Sequence, residues 1–176
     1  MNPIATGVMP ADEIASLRSF AEIIWKSTYQ DMLPQGQISY MLDRFYDPDL
    51  LKQQVAAGHP LIAARIGDDL VGFAHLFMDG HQSQLDKLYV SPLFQRIGVG
   101  RSLFSEVKRH ALAAGCSLMT LRVNRQNATA IAVYERLGFG IISTHRKDIG
   151  GGYVMDDYLM LMDLLPDTPS KIGDLP

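Results

Sequence analysis

The chain has 176 residues and a mass of 19.5 kDa, which is enough for one buried core and too little for two ordinary domains. Hydrophobic residues make up 47% and charged residues 20%, which excludes a disordered protein and a membrane protein. A net charge of −3 and a pI near 5.9 exclude the general positive field that a nucleic acid or an anionic membrane would require.

Helical periodicity marks the first third of the chain. Apolar residues between Ile14 and Trp25 recur at steps of three and four after an acidic start at 11–13. The same spacing continues beyond Pro34, and a further segment has Asp47 as a candidate cap and Gly58 as a candidate stop. We therefore expect three helices before residue 60.

Strand signals follow and then alternate with helical ones. Two β-rich runs within 60–79 are separated by the hairpin signal at 67–69, and a third strand at 83–90 is expected to complete an antiparallel set. The rest of the pattern predicts a helix at 98–114, a strand at 117–123, a helix at 127–138 and strands at 139–146 and 153–164. This order predicts a mixed α/β fold with a central sheet covered by helices.

The whole of 1–165 is predicted to be a single domain, followed by a loose tail at 166–176 with three prolines. Cys116 is the single cysteine, so an internal disulfide is excluded and a reducing compartment is favoured. The N-terminus lacks the features of a signal peptide, and no run reaches the roughly 18 apolar residues of a membrane span. We predict a cytoplasmic protein.

The junction between the third strand and the next helix carries two glycines and two arginines. Gly98 and Gly100 let the backbone turn sharply and leave its N–H groups open, and the helix dipole with Arg96 and Arg101 adds positive charge. This combination predicts an anion pocket suited to phosphate. The loop has Leu103 in place of a third glycine and lacks a Walker lysine, which disfavours NAD and ATP. Two glycines alone are also compatible with a plain turn.

A second motif lies on the helix predicted at 127–138. Asn127, Ala130 and Tyr134 share one face of that helix. With the stretch LYVSPLFQRIGVGRSL at 88–103, and with flanking Val123, Gly138 and Phe139, this series resembles the GCN5-related N-acetyltransferase (GNAT) superfamily. The resemblance covers about 60–163. It implies a GNAT-like acyl-CoA N-acyltransferase fold, with a mostly antiparallel central sheet, and acetyl-coenzyme A as co-substrate.

The resemblance also implies where acetyl-coenzyme A binds. The strand before the loop would pair through its backbone with the pantetheine arm, the loop amides would hold the pyrophosphate, and Asn127 would hydrogen-bond near the pantetheine. Tyr134 would point at the sulfur and help coenzyme A leave, by a hydrogen bond or a concerted proton, because a phenol near pKa ~10 is a weak acid toward a thiolate near ~8.5. The implied cofactor-binding residues are Leu88, Tyr89, Val90, Gln95, Arg96, Ile97, Gly98, Val99, Gly100, Arg101, Ser102, Asn127 and Tyr134.

The acceptor amine must lose a proton before it attacks, because a primary amine of pKa ~10.4 is mostly charged at neutral pH. The candidate bases are Asp86, His145, Asp156 and Asp157. Asp86 is predicted to be the catalytic base, although a relay through water and an ordinary surface carboxylate are both alternatives.

An aromatic and methionine-rich segment near the N-terminus is a candidate acceptor wall. Trp25 and Tyr29 in this segment, and Asp156 and Asp157 after the glycine turn at 150–152, are the predicted substrate-binding residues. Both segments resemble those of bacterial polyamine acetyltransferases, although plain core packing and solvated aspartates explain them as well. The histidines show no metal-binding spacing, and Cys116 is expected to be buried and inert, so no metal and no acyl-cysteine intermediate are predicted.

Taken together, the sequence predicts an N-acetyltransferase that transfers the acetyl group of acetyl-coenzyme A to a primary amine of a small molecule within a ternary complex. Polyamines are one predicted class of acceptor. A protein N-terminal or lysine acetyltransferase, and a non-catalytic acyl-coenzyme A-binding module, are the alternatives. The predicted partners are acetyl-coenzyme A and the amine, with no nucleic acid and no membrane. A homodimer through the sheet edges is compatible with the sequence, as is a monomer.

Overall fold

A computed structural model describes residues 3–165, which form seven β-strands and five α-helices. The strands are β1 (Ile4–Val8), β2 (Leu61–Ile66), β3 (Asp69–Asp79), β4 (Gln82–Val90), β5 (Leu118–Asn124), β6 (Gly140–Gly150) and β7 (Tyr153–Asp163). The helices are α1 (Leu17–Tyr29), α2 (Gln35–Phe45), α3 (Pro48–Ala56), α4 (Val99–Ala113) and α5 (Ala128–Arg136). The predicted tail at 166–176 lies outside the described residues.

All seven strands join one sheet in the order β1-β2-β3-β4-β5-β7-β6. Neighbouring strands are antiparallel except β4 and β5, which run parallel. The predicted mixed α/β fold with a mostly antiparallel sheet flanked by helices is therefore confirmed. Among residues 3–165, no helix is both long and apolar enough to cross a membrane.

Strand β1 was not predicted. The sequence reading left the residues before 11 without structure, whereas Ile4 to Val8 pair with β2 from Ile66 to Ile62. Five residues that include a glycine give little strand signal of their own. The hydrogen bonds offered by the open edge of β2 decide the conformation, so this element depends on tertiary pairing rather than on local pattern.

Helices cover both faces of the sheet, which separates two hydrophobic cores. Helix α4 buries Leu103 and Val107 on one face of the sheet, and α1 buries Leu17 and Ile24 on the other. The predicted cap on α3 is present, because the carboxylate of Asp47 accepts a hydrogen bond of 2.8 Å from the N–H of Leu50. The predicted element order from residue 14 onward is thus realised around one sheet.

Gly72 allows α4 to lie close against β3. A Cβ atom at this position would stand 2.8 Å from the carbonyl oxygen of Tyr89 and 3.2 Å from a methyl group of Val99. We expect Gly72→Ala to lower the free energy of unfolding by about 1–3 kcal/mol, because the backbone of β4 has to move. Urea unfolding measures this effect. Gly7→Ala is the matched control, since no heavy atom lies within 4 Å of its added Cβ, and an equal loss in both variants would contradict the expectation.

Candidate functional site

Strands β4 and β5 pair for only part of their length. Pairing runs from Gln82 to Leu85 on β4, after which β4 continues to Val90 without a β5 partner. The cause is a bulge, since His75 of β3 faces Lys87 and the next residue faces Leu85, which leaves Asp86 as an extra residue. A bulge bends and twists its strand. We call the space between 86–90 of β4 and 122–124 of β5 the strand gap.

The loop that follows β4 brings a row of backbone N–H groups to the start of α4. Arg96 has φ 63° and Gly98 has φ 100°, so both adopt the left-handed conformation. The first helical hydrogen bond of α4 runs from the N–H of Ser102 to the carbonyl of Gly98, at 3.0 Å. Within residues 3–165 the N–H groups of 96–101 donate to no protein acceptor, so they are available to a bound anion.

Helix α5 places two of the predicted residues beside the strand gap. Asn127 is 7% exposed, and its side-chain oxygen caps α5 by accepting from the N–H of Ala130 at 3.1 Å. Its NH₂ group has two N–H donors, of which one is directed at the hydroxyl of Tyr29 and the other is left for a ligand. The ring of Tyr134 packs edge-on against Phe139 at 5.9 Å. Burial, with a smaller contribution from Tyr29, raises the pKa of Tyr134, so its hydroxyl stays protonated and can donate.

A wall of aromatic residues faces Tyr134 from the α1 side of the sheet. The hydroxyls of Tyr29 and Tyr89 lie 3.1 Å apart, and burial is the main cause that raises the pKa of each. The Tyr89 hydroxyl was missed by the sequence reading, which assigned only the backbone of that residue to the site. Trp25 is 4% exposed and donates to the hydroxyl of Tyr46 at 3.1 Å. Trp25 packs behind this wall, and its contact with substrate stays a prediction.

Asp157 lies on the same side of the sheet, directly opposite Asn124 of β5 and His145 of β6. Its side chain is 3% exposed. Burial raises the pKa of Asp157 to about 6, although the charge of Arg122 opposes this shift. Asp157 shares its strand face with Tyr153 and Met155, which pack in the core on the α1 side, and its negative charge contributes to the raised pKa of Tyr29. A carboxylate with this pKa can accept a proton near neutral pH.

Comparison with known proteins identifies the family. Residues 19–139, more than half of the chain, match the Acetyltransferase (GNAT) family. The chain belongs to this family. The predicted family and the predicted acetyltransferase class are therefore confirmed.

Individual relatives of this GNAT protein act on different acceptors. Spermidine N(1)-acetyltransferase from Thermoplasma acidophilum is 25% identical over 142 residues, which cover 78% of this chain and 88% of that protein. The structure of the PaiA N-acetyltransferase of the same organism was solved in complex with coenzyme A. It matches with a TM-score of 0.78 at 21% identity, and the match covers 92% of this chain and 99% of the PaiA chain. The ribosomal-protein-alanine N-acetyltransferase from Brucella melitensis has a TM-score of 0.67 at 20% identity, with coverages of 90% and 99%. The two structures share the fold with this GNAT protein.

Asp86, the predicted base, is committed to other partners in this GNAT protein. Its carboxylate forms an ion pair with the adjacent Lys87 and lies 3.8 Å from Nδ1 of His75. This ion pair occupies the carboxylate that would have to accept the proton. Asp86 as the base stays a prediction, and the burial of Asp157 favours that residue instead.

The two acids predicted to bind substrate together point to opposite faces of β7. Asp157 is buried toward α1, whereas Asp156 is exposed and forms an ion pair of 3.3 Å with Arg125. Alternate residues of a strand project to opposite faces, so adjacent acids cannot act as one pair. Substrate binding by Asp156 and by Asp157 stays a prediction for each residue separately.

Two further predictions concern side chains outside the strand gap. Cys116 is buried, and burial raises the pKa of its thiol, which fits the expected inert residue. Within the described part of the chain, no group of three or more histidine, cysteine, aspartate or glutamate residues could hold a metal ion.

Arg96 and Arg101 are exposed on either side of the open amides.

Proposed function

We propose that this GNAT protein transfers the acetyl group of acetyl-coenzyme A to the primary amine of a small molecule, by direct attack in a ternary complex. The observation that carries this proposal is the row of open N–H groups at 96–101 beside the strand gap. Related structures were solved with coenzyme A or acetyl-coenzyme A, which supports the same co-substrate for this chain.

The residues present fit such a co-substrate. The open amides at the positive end of α4 suit a diphosphate, and Arg96 and Arg101 add charge beside them. The free edge of β4 at 88–90 and the NH₂ group of Asn127 supply the hydrogen bonds that an amide-containing pantetheine arm requires. Acetyl-coenzyme A would supply an activated acetyl thioester at this place.

In this reaction Asp157 is the proton acceptor and Tyr134 is the hydrogen-bond donor. Asp157, with its pKa near 6, accepts the proton of the bound ammonium group and so leaves a nucleophilic amine. Tyr134 holds its own proton because burial raises its pKa, and its hydroxyl donates a hydrogen bond to the leaving sulfur. The paired hydroxyls of Tyr29 and Tyr89 would order the acceptor.

The alternatives differ in the acceptor that they require. A protein N-terminus is the acceptor implied by the name of the Brucella melitensis neighbour, and such a chain requires an open groove. A non-catalytic acyl-coenzyme A-binding module would have no use for a base such as Asp157. The buried carboxylate therefore favours catalysis.

The deciding experiment measures free thiol released from acetyl-coenzyme A with a panel of small amines and a panel of short peptides with free N-termini. We expect turnover with at least one small amine and none above background with peptides. Turnover with peptides alone would support the protein acetyltransferase. Binding of acetyl-coenzyme A by calorimetry without any turnover would support the non-catalytic module.

A further inference from the structure

A cleft of about 320 Å³ adjoins the strand gap at Asn124, which lines the cleft and also bounds the gap. Its walls come from the α1–α2 connection, the loop after β5, and the facing strands β6 and β7. Asn124, which lines the cleft, lies directly opposite Asp157 across the β5–β7 pair. Directly paired residues of antiparallel strands share a face of the sheet, so the Asn124 end of the cleft is the end nearest the proposed base, although Asp157 itself does not line the cleft. The volume lies at the lower limit of ordinary ligand pockets, so it suits a small acceptor.

Three of the residues that line this cleft are charged: Arg125, Arg146 and Asp156. Asp156 is already neutralised by Arg125, at 3.3 Å, and the guanidinium of Arg125 also lies 5.3 Å from the ring centre of Tyr158. Among residues 3–165, Arg146 has no ion-pair partner and no side-chain hydrogen bond. The cleft thus presents a net positive charge with one free guanidinium.

This charge distribution separates two classes of amine. A polyamine carries several positive charges, so it would meet Arg146 directly and would have to displace Arg125 from Asp156. An amine with a carboxylate or phosphate gains a bidentate partner from a guanidinium, the geometry that arginine recognises best. Such an amine has a single ammonium group, for which one carboxylate, that of Asp157, is sufficient.

We propose that the acceptor is a small primary amine that also carries an anionic group, a carboxylate or a phosphate, and that Arg146 binds this group in the cleft. This inference rests on the proposed acetyl transfer. Arg146 is then a specificity-determining residue, which sets the class of amine without contact to the reacting atoms.

Matched pairs of amines test the proposal, because the members of each pair differ by the anionic group. Lysine is compared with cadaverine, ornithine with putrescine, and phosphoethanolamine with ethanolamine, and spermidine represents the polyamines. Thiol release gives kcat/KM for each amine. We expect a value at least tenfold higher for the anionic member of a pair. The two carboxylate pairs and the phosphate pair tell the two anions apart.

Variants of Arg146 then assign the preference to this residue. Arg146→Gln should remove most of the tenfold ratio by raising KM for the anionic amine, with the KM of acetyl-coenzyme A unchanged. Arg146→Glu should reverse the preference. Arg136→Gln is the matched control, because this exposed arginine of α5 lies outside the cleft and should leave the ratio unaltered.

The outcomes that overturn the inference are distinct from failure of the proposed function. Turnover with spermidine, cadaverine and putrescine but not with their anionic counterparts would overturn the inference alone. An unchanged ratio in both Arg146 variants would do the same. Absence of thiol release with every amine would overturn the proposed function, and the inference with it.

Discussion

Asp157→Asn should lower kcat/KM for acetyl transfer by about 10²–10⁴-fold, the usual contribution of a general base. Asparagine has the same shape and cannot accept the proton of the acceptor ammonium. In the wild type, kcat/KM should rise with pH through the pKa of Asp157, which lies at about 6. The variant should lack this acidic limb. Rates measured from pH 5 to pH 8 with a fixed acceptor check both expectations.

The same substitution should stabilise the fold at neutral pH. The pKa of Asp157 is about 6 in the folded protein, against a reference value of 3.8, so the native state binds this proton more tightly than the unfolded chain. Ionisation therefore favours unfolding, and stability falls as pH rises from about 4 to about 6. Asp157→Asn should gain about 2–3 kcal/mol at pH 7 and nothing below pH 4.

Two further variants make the Asp157 prediction specific. Asp68→Asn changes an exposed acid of the β2–β3 turn. It should leave kcat/KM unchanged and should alter the free energy of unfolding by no more than about 0.5 kcal/mol. Asp86→Asn tests the other candidate base. Retained activity in Asp157→Asn together with loss of the acidic limb in Asp86→Asn would assign the proton transfer to Asp86.

Tyr134→Phe should lower kcat by roughly 10- to 150-fold, because a hydrogen bond to a developing charge contributes about 1.5–3 kcal/mol. The raised pKa of Tyr134 makes it a donor rather than a strong acid. Phenylalanine keeps the packing against Phe139, so KM for acetyl-coenzyme A should change by less than about twofold. Initial rates at saturating acceptor measure this split.

The control for this prediction is Tyr153→Phe, which removes the hydroxyl of a tyrosine that packs on Tyr40 away from the strand gap. Its kcat should equal that of the wild type. An unchanged kcat in Tyr134→Phe would show that Tyr134 has no catalytic role.

The sequence predicted those parts of the fold that carry their own local signal. The cap at Asp47, the glycines at the start of α4 and the shared face of Asn127 and Tyr134 are short-range features, and each is present. Strand β1 could not be predicted, because its conformation depends on the edge of β2, which is more than fifty residues away in the chain.

The candidate site was predictable only in part, for the same reason. Burial and the choice of ion-pair partner depend on packing. The sequence therefore could not tell that Asp86 pairs with Lys87 while Asp157 is buried with no ion-pair partner among residues 3–165. The separation of Asp156 from Asp157 did follow from strand alternation, and that signal was available. No local signal predicts the contact between the hydroxyls of Tyr29 and Tyr89, which are sixty residues apart in the chain.

We expect the backbone amides at 96–101 to bind a diphosphate and thereby to place a thioester beside Tyr134. The most direct measurement follows the amide resonances of these residues by NMR as coenzyme A is added, with pantetheine as a ligand that lacks the diphosphate. We predict large shifts at 96–101 with coenzyme A and none there with pantetheine. Binding of coenzyme A that leaves these amides unshifted would contradict the claim.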